Sequence, residues 1–194
     1  MHLVQRLAPI IALALTAASA QAANTTARLI LSHDAAKPGE TVWAGVHLRM
    51  NQGWHTYWQN GGDAGAPTKI DWTLPAGVTA GPIQWPLPEK KVEGAGGTSL
   101  TSYIYHNDVV LLVPLTLAAS LPQGGVELKA KVEWMECEKL CVIARSGVSG
   151  SLTVALESKP SKDAALIESW KQKLPQIATN LPARAWWESS DAGE

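Results

Sequence analysis

Residues 126–154 read VELKAKVEWMECEKLCVIARSGVSGSLTV. Val126, Leu128, Ala130, Val132 and Trp134 fall on every second position, with Glu127, Lys129, Lys131 and Glu133 between them. Period two is the mark of a half-buried strand. After Cys141 the chain continues with β-branched residues and glycines, which suits a second strand better than a helix. Between the two strands lie Cys137 and Cys141, the only cysteines in the chain. In one continuous strand their Cα atoms would stand roughly 13 Å apart, beyond disulfide reach. A helical turn or a tight hairpin would bring them together. The flanking periodicity favours the hairpin, with Glu138, Lys139 and Leu140 as its loop.

Working outward, the same signature recurs. In TVWAGVHLRM (41–50), Val42, Ala44, Val46 and Leu48 share one face, and Trp43, Gly45, His47 and Arg49 share the other. ARLILSH, WHTYW, TKIDWTL and YIYHNDVVLLVPLTL supply further short strands, separated by turns rich in Gly, Pro, Asn and Asp. Residues 81–102 lack periodicity and read as a long irregular connection. The expected fold is all-β: an immunoglobulin-like β-sandwich with an irregular inserted loop region and a short C-terminal helix. That helix comes from Leu166, Trp170 and Leu174 at i, i+4, i+8, with Ile167 beside them.

The first 22 residues hold one fixed charge, Arg6, then an apolar run and the small-residue site Ala20–Ala22. They read as a secretory signal peptide. The expected organisation is therefore a signal peptide over 1–22, a sandwich domain over 23–156, and a helix over 157–194 with a linker or the start of a further domain. The formal charge of −1 becomes −2 when Arg6 leaves with the leader. So balanced a surface gives no electrostatic reason to expect nucleic acid. Export places the cysteines where a disulfide can form and persist.

Three readings of the pair stay open on residue chemistry alone. A hairpin disulfide closes a very small loop, for which the chain-entropy gain is least, so a staple is an inefficient use of the only pair. A redox pair fits an exposed, small ring. Lys139 would favour a thiolate there, and Glu136 and Glu138 would oppose it. A copper site would need soft partners, for which His47, His55, His106, Met50 and Met135 are available, although none shows ligand spacing. Gly-rich GAGGTS lacks the lysine and following helix of a phosphate loop, and no serine has a nucleophile-elbow setting.

Four segments together resemble a known family. GWHTYWQNGGDAGAPTKIDWTLPAGV (53–78), WPLPEK (85–90), SYIYHNDVVLLVPL (102–115) and VEWMECEKLCVIAR (132–145) come in the order found in the N-terminal periplasmic domain of DsbD-type thiol:disulfide interchange proteins. They are also similar to the related domain of ScsB-type suppressors of copper sensitivity. The resemblance spans Ala27 to Leu156.

It implies a periplasmic domain in which Cys137 and Cys141 are the catalytic residues, cycling between dithiol and disulfide with no cofactor and no metal. Reducing equivalents would come from a thioredoxin-like domain, fed by a membrane-embedded domain of the full protein. They would pass to oxidised periplasmic thiol proteins. It further implies that Cys141 is the sulfur joined to partners and Cys137 the resolving one. A cap loop over the cysteines would correspond to Glu93–Thr101, where Leu100 stands in place of the aromatic tip of some members. The alternatives are a copper-binding module and a protein-binding module with a structural disulfide.

Overall fold

The computed structural model describes residues 24–95, 98–176 and 184. The expected signal peptide over 1–22 and most of the residues after 176 lie outside them. The described chain forms β1 (Thr25–Leu31), β2 (His33–Ala36), β3 (Thr41–Met50), β4 (His55–Gly62), β5 (Lys69–Thr73), β6 (Val78–Ala80), β7 (Glu89–Ala95), β8 (Thr98–His106), β9 (Asp108–Leu117), β10 (Gly124–Cys137), β11 (Cys141–Val154), β12 (Lys159–Pro160) and α1 (Ala164–Lys171).

These strands make the two sheets of an immunoglobulin-like sandwich. One sheet runs β1-β3-β9-β6 and the other β12-β2-β11-β10-β4-β8-β7, with β5 also paired to β10. The inward residues of β3 and β10 take their expected places, but β3 is buried on its other face as well, at Gly45 and His47. Val42, Ala44, Val46 and Leu48 are fully buried, and Leu128, Ala130, Val132 and Trp134 meet them in one core. In β9, Val109 to Val113 are all buried in succession. A run buried on both faces needs cover on both. The opposite sheet supplies one cover. Helix α1 packs on the other side, and the segment before β7 bridges the edge of β9 at Gln84–Leu112 and is tied to the end of the helix by the bond from Leu87 N to Lys173 O at 3.0 Å.

Helix α1 buries Ile167 and Trp170, while Leu166 and Leu174 pack at the margin of the core. The helix start is held by Asp163, whose carboxylate takes two bonds from Arg28 of β1, at 3.0 and 3.2 Å. One expectation needs correction. Residues 81–102 are irregular only as far as 88, and from Glu89 the chain forms the β7–β8 hairpin. The strand EKKVEGA offers no apolar alternation because Val92 is exposed and its neighbours are polar or glycine. Backbone pairing with β8 carries the hairpin instead.

β10 and β11 are the longest elements of the site, and two strands share the other edge of β10. β5 pairs with Lys129–Glu133, and β4 pairs only with Glu136 and Cys137 at the far end. The chain leaves that edge after β4, turns through residues 63–68 and returns as β5. β4 then carries β8 and β7 outward, so the cysteine end of the sandwich has an extra three-stranded wing.

Candidate functional site

The β10–β11 ladder ends on the pair Cys137↔Cys141. Their Cα atoms are 4.2 Å apart and the sulfurs are bonded. The hairpin and its three-residue loop match the sequence expectation. The two sulfurs sit in different surroundings. Cys137 is 3% exposed and belongs to a small separate cluster with Tyr57 of β4, Ile104 of β8 and Met135. Cys141 opens the neighbouring strand and is exposed. Beside it Leu140, Val142 and Ile143 are exposed apolar residues. On the hairpin flank lies a groove of about 580 Å³ that includes Trp54, Glu136, Lys139, Leu140 and Arg145 among its lining residues.

Strand alternation on β4 puts His55 and Tyr57 on one face, next to the sulfurs. Tyr57 Oη lies 3.0 Å from Cys137 Sγ and 3.7 Å from Cys141 Sγ. A disulfide sulfur has no proton to give, so the tyrosine is the donor. His55 Nε2 lies 3.3 Å from the same Oη. With the only tyrosine proton committed to sulfur, the histidine donates from Nε2. Burial pushes the Tyr57 hydroxyl above the ordinary phenol range, and the Glu93 charge adds to this. The group therefore remains a donor at any physiological pH.

His55 is buried, and its ring meets those of Tyr57 and His106 edge-on at 5.3 and 5.8 Å. Burial is the main reason its pKa falls from 6.5 to about 4. The charges of Lys91 and His106 lower it further, and Glu93 works against them. Because the folded value lies below the unfolded one, the unfolded chain holds a proton between about pH 4 and 6.5 that the folded domain does not. This contribution to stability is complete above pH 6.5 and is lost as the pH falls towards 4. We expect it to amount to about 1–2 kcal/mol once partial solvent screening is allowed for. The facing groups are Tyr57 on the same strand, His106 on β8, and Lys91 and Glu93 on β7. Histidine-selective ¹⁵N spectra at pH 5.5 should show His55 neutral and protonated at Nε2. An imidazolium signal at that pH would contradict the reading.

The loop after β4 fixes this arrangement. Gly65, at φ +94°, lies against the Tyr57 ring so closely that a Cβ would come within 2.2 Å of it. Asp63 ties the loop to β8: its N–H donates to Thr101 O and its carboxylate accepts from Thr101 N, both at 2.8 Å. The expected cap, Glu93–Thr101, is the turn end of the β7–β8 hairpin. Leu100 there is 48% exposed, and the side chains grouped over Cys137 are those of Tyr57, Ile104 and Met135.

The other sequence candidates are scattered. His47 lies in the opposite sheet and faces Asp108 at 3.1 Å, and Met50 meets Thr56. His106 pairs with Glu89 at 3.2 Å. Among the described residues no group of three or more His, Cys, Asp or Glu side chains is disposed to hold a metal ion. Glu136, which the sequence presents as a charge opposing a thiolate, is instead 1% exposed and bonded to Trp134 and Asn24. It lies on the opposite face of β10 from Cys137.

Residues 26–150 match the family model for the N-terminal part of the thiol:disulfide interchange protein DsbD. The chain belongs to this family. A DsbD N-terminal domain is a thiol–disulfide interchange domain, which supports a general thiol–disulfide oxidoreductase chemistry. Among solved structures, the N-terminal periplasmic domain of ScsB from Proteus mirabilis is similar at 19% identity and a TM-score of 0.49, covering 79% of this chain and 54% of that one. The major pilin subunit BcpA of Bacillus cereus is similar at 11% identity and a TM-score of 0.41, covering 68% and 40%. This DsbD-type chain thus spans about half the length of the ScsB chain it matches. A search of curated protein sequences found no match. No helix among the described residues is long and apolar enough to cross a membrane.

Proposed function

We propose that this is a periplasmic protein-disulfide reductase module that passes reducing equivalents from a thioredoxin-like donor to oxidised periplasmic proteins through Cys137 and Cys141. The observation that carries the assignment of roles is the asymmetry of the pair: Cys141 is exposed beside Leu140, Val142 and Ile143, and Cys137 is covered. A donor thiolate attacks the accessible Cys141 Sγ. The Cys137–Cys141 bond breaks, a donor–Cys141 disulfide forms, and the electron pair goes to Cys137 Sγ. The donor's second thiol resolves this bond and leaves the domain as a dithiol. Cys141 then attacks an acceptor disulfide, and Cys137 closes the cycle. The exposed apolar residues flanking Cys141 support contact with a partner at that sulfur.

Trapping tests the assignment. The Cys137→Ala variant, carrying Cys141 as a mixed disulfide with nitrothiobenzoate, should react with the thiol of a reduced thioredoxin-like protein lacking its own resolving cysteine, release nitrothiobenzoate and accumulate a covalent complex through Cys141 that dithiothreitol reverses. Cys141→Ala should trap little or none. Equal trapping by the two variants would contradict the assigned roles. Absence of any complex with either, together with a wild-type disulfide that no dithiol reduces, would favour a structural bond.

A further inference from the structure

We propose that His55 and Tyr57 form a donor pair for the sulfur that leaves during exchange, with Tyr57 bonding to Cys137 Sγ and His55 holding Tyr57 in that role. The inference rests on the reading that Cys141 is attacked and Cys137 leaves. When an incoming thiolate bonds to Cys141 Sγ, the old S–S bond breaks and negative charge moves onto Cys137 Sγ. That sulfur is 3% exposed, so water is poorly placed to solvate the new thiolate. The Tyr57 hydroxyl is already 3.0 Å away. It is placed on the sulfur where charge develops, and a donor waiting there favours the transition state over the ground state. No proton has to move, and no oxidant or reductant beyond the incoming thiol is involved.

A phenol hydroxyl can rotate. Alone, Tyr57 could turn its proton towards Cys141, 3.7 Å away, or towards the imidazole. The His55 Nε2–H removes the second choice, because a donor on that side leaves the tyrosine proton only the sulfurs. The imidazole is suited to this while neutral with Nε2 protonated, a state its buried position between Tyr57 and His106 favours. His55 acts through Tyr57 and is a positioning residue. Tyr57 touches a reacting atom and is a catalytic one.

The test uses the whole chain and dithiothreitol as the thiol. The rate of disulfide reduction is measured for wild type, Tyr57→Phe, His55→Phe and His55→Gln. The thiol pKa of Cys137 is then read from the ¹³Cβ shift of each reduced protein. We expect Tyr57→Phe to slow reduction by about tenfold or more, the effect of losing a hydrogen bond to a charged group. The Cys137 thiol pKa should rise by about one unit with it. His55→Phe should move both quantities the same way by a smaller factor. His55→Gln, which keeps an N–H donor, should recover part of the loss. A merely structural role would not shift the Cys137 pKa in variants whose thermal unfolding matches wild type. The pair is overturned if wild type is reduced readily and both phenylalanine variants stay within twofold of it in rate with unchanged Cys137 pKa. A wild-type disulfide refractory to the dithiol would instead overturn the exchange reading itself.

Discussion

Replacing Gly65 with alanine should cost the domain about 2–4 kcal/mol and disturb the sulfur environment at the same time. Two effects combine. Gly65 has φ +94°, where a side chain sits too close to the following carbonyl, at a cost of about 1–2 kcal/mol. Its ideal Cβ also falls 2.2 Å from Tyr57 Cδ1 and Cε1 and 2.4 Å from Cγ. The ring cannot step aside freely, since Ile104, Cys137 and Met135 pack around it and His55 meets its edge. Gly53→Ala is the control. It has a similar φ of +84°, but the nearest atom to its Cβ is a Glu138 side-chain oxygen at 3.3 Å, and that chain can turn away. Chemical denaturation of the two variants should separate the backbone cost from the ring contact. Gly65→Ala should also change the rate at which dithiothreitol opens the disulfide, and Gly53→Ala should not. Equal stability losses in the two would mean that the Tyr57 contact carries no energy.

The fold was largely legible because its strands are amphipathic. Val126 to Trp134 and Val42 to Leu48 alternate cleanly, and the turn residues between strands carry their own signals. The β7–β8 hairpin was not legible. Its first strand buries almost nothing, so the periodicity that reveals a strand is absent, and its pairing partner is fixed by β4 rather than by its own residues. The site divides in the same way. Facing cysteines follow from the hairpin alone, a local matter. Tyr57 over Cys137 joins residues 80 positions apart. The alternation of WHTYW puts His55 and Tyr57 on one face, but nothing local says what that face meets. Gly65 reads as a turn glycine, and its turn role is real. Its second role, leaving room for an aromatic ring, needs the tertiary structure.

Glu136 shows how far a sequence reading can mistake a charge, and it gives the second large effect. Glu136→Ala should destabilise the domain by about 2–4 kcal/mol. A glutamate next to a cysteine invites an electrostatic role at the sulfur. The structure turns it into a buried acceptor instead. One carboxylate oxygen takes the Asn24 backbone N–H at 2.8 Å and its side-chain amide at 3.2 Å, and the other takes Trp134 Nε1–H at 3.0 Å. Removing the carboxylate relieves the cost of burying a charge but strands these donors. The indole is the worst placed, because Trp134 is 1% exposed and has no route to water. Glu136→Gln should cost less. Its oxygen can still serve Asn24, while its NH₂ would face the indole donor. Trp134→Phe removes that conflict, so Glu136→Gln should be milder in the Trp134→Phe background than in wild type. A double-mutant cycle by denaturation measures this directly, with an expected coupling of about 1–2 kcal/mol. Strictly additive losses would show that the indole bond contributes nothing. The consequence for function is positional: this carboxylate ties the residue before β1 to the last turn-side residues of β10, and Cys137 is the next residue along.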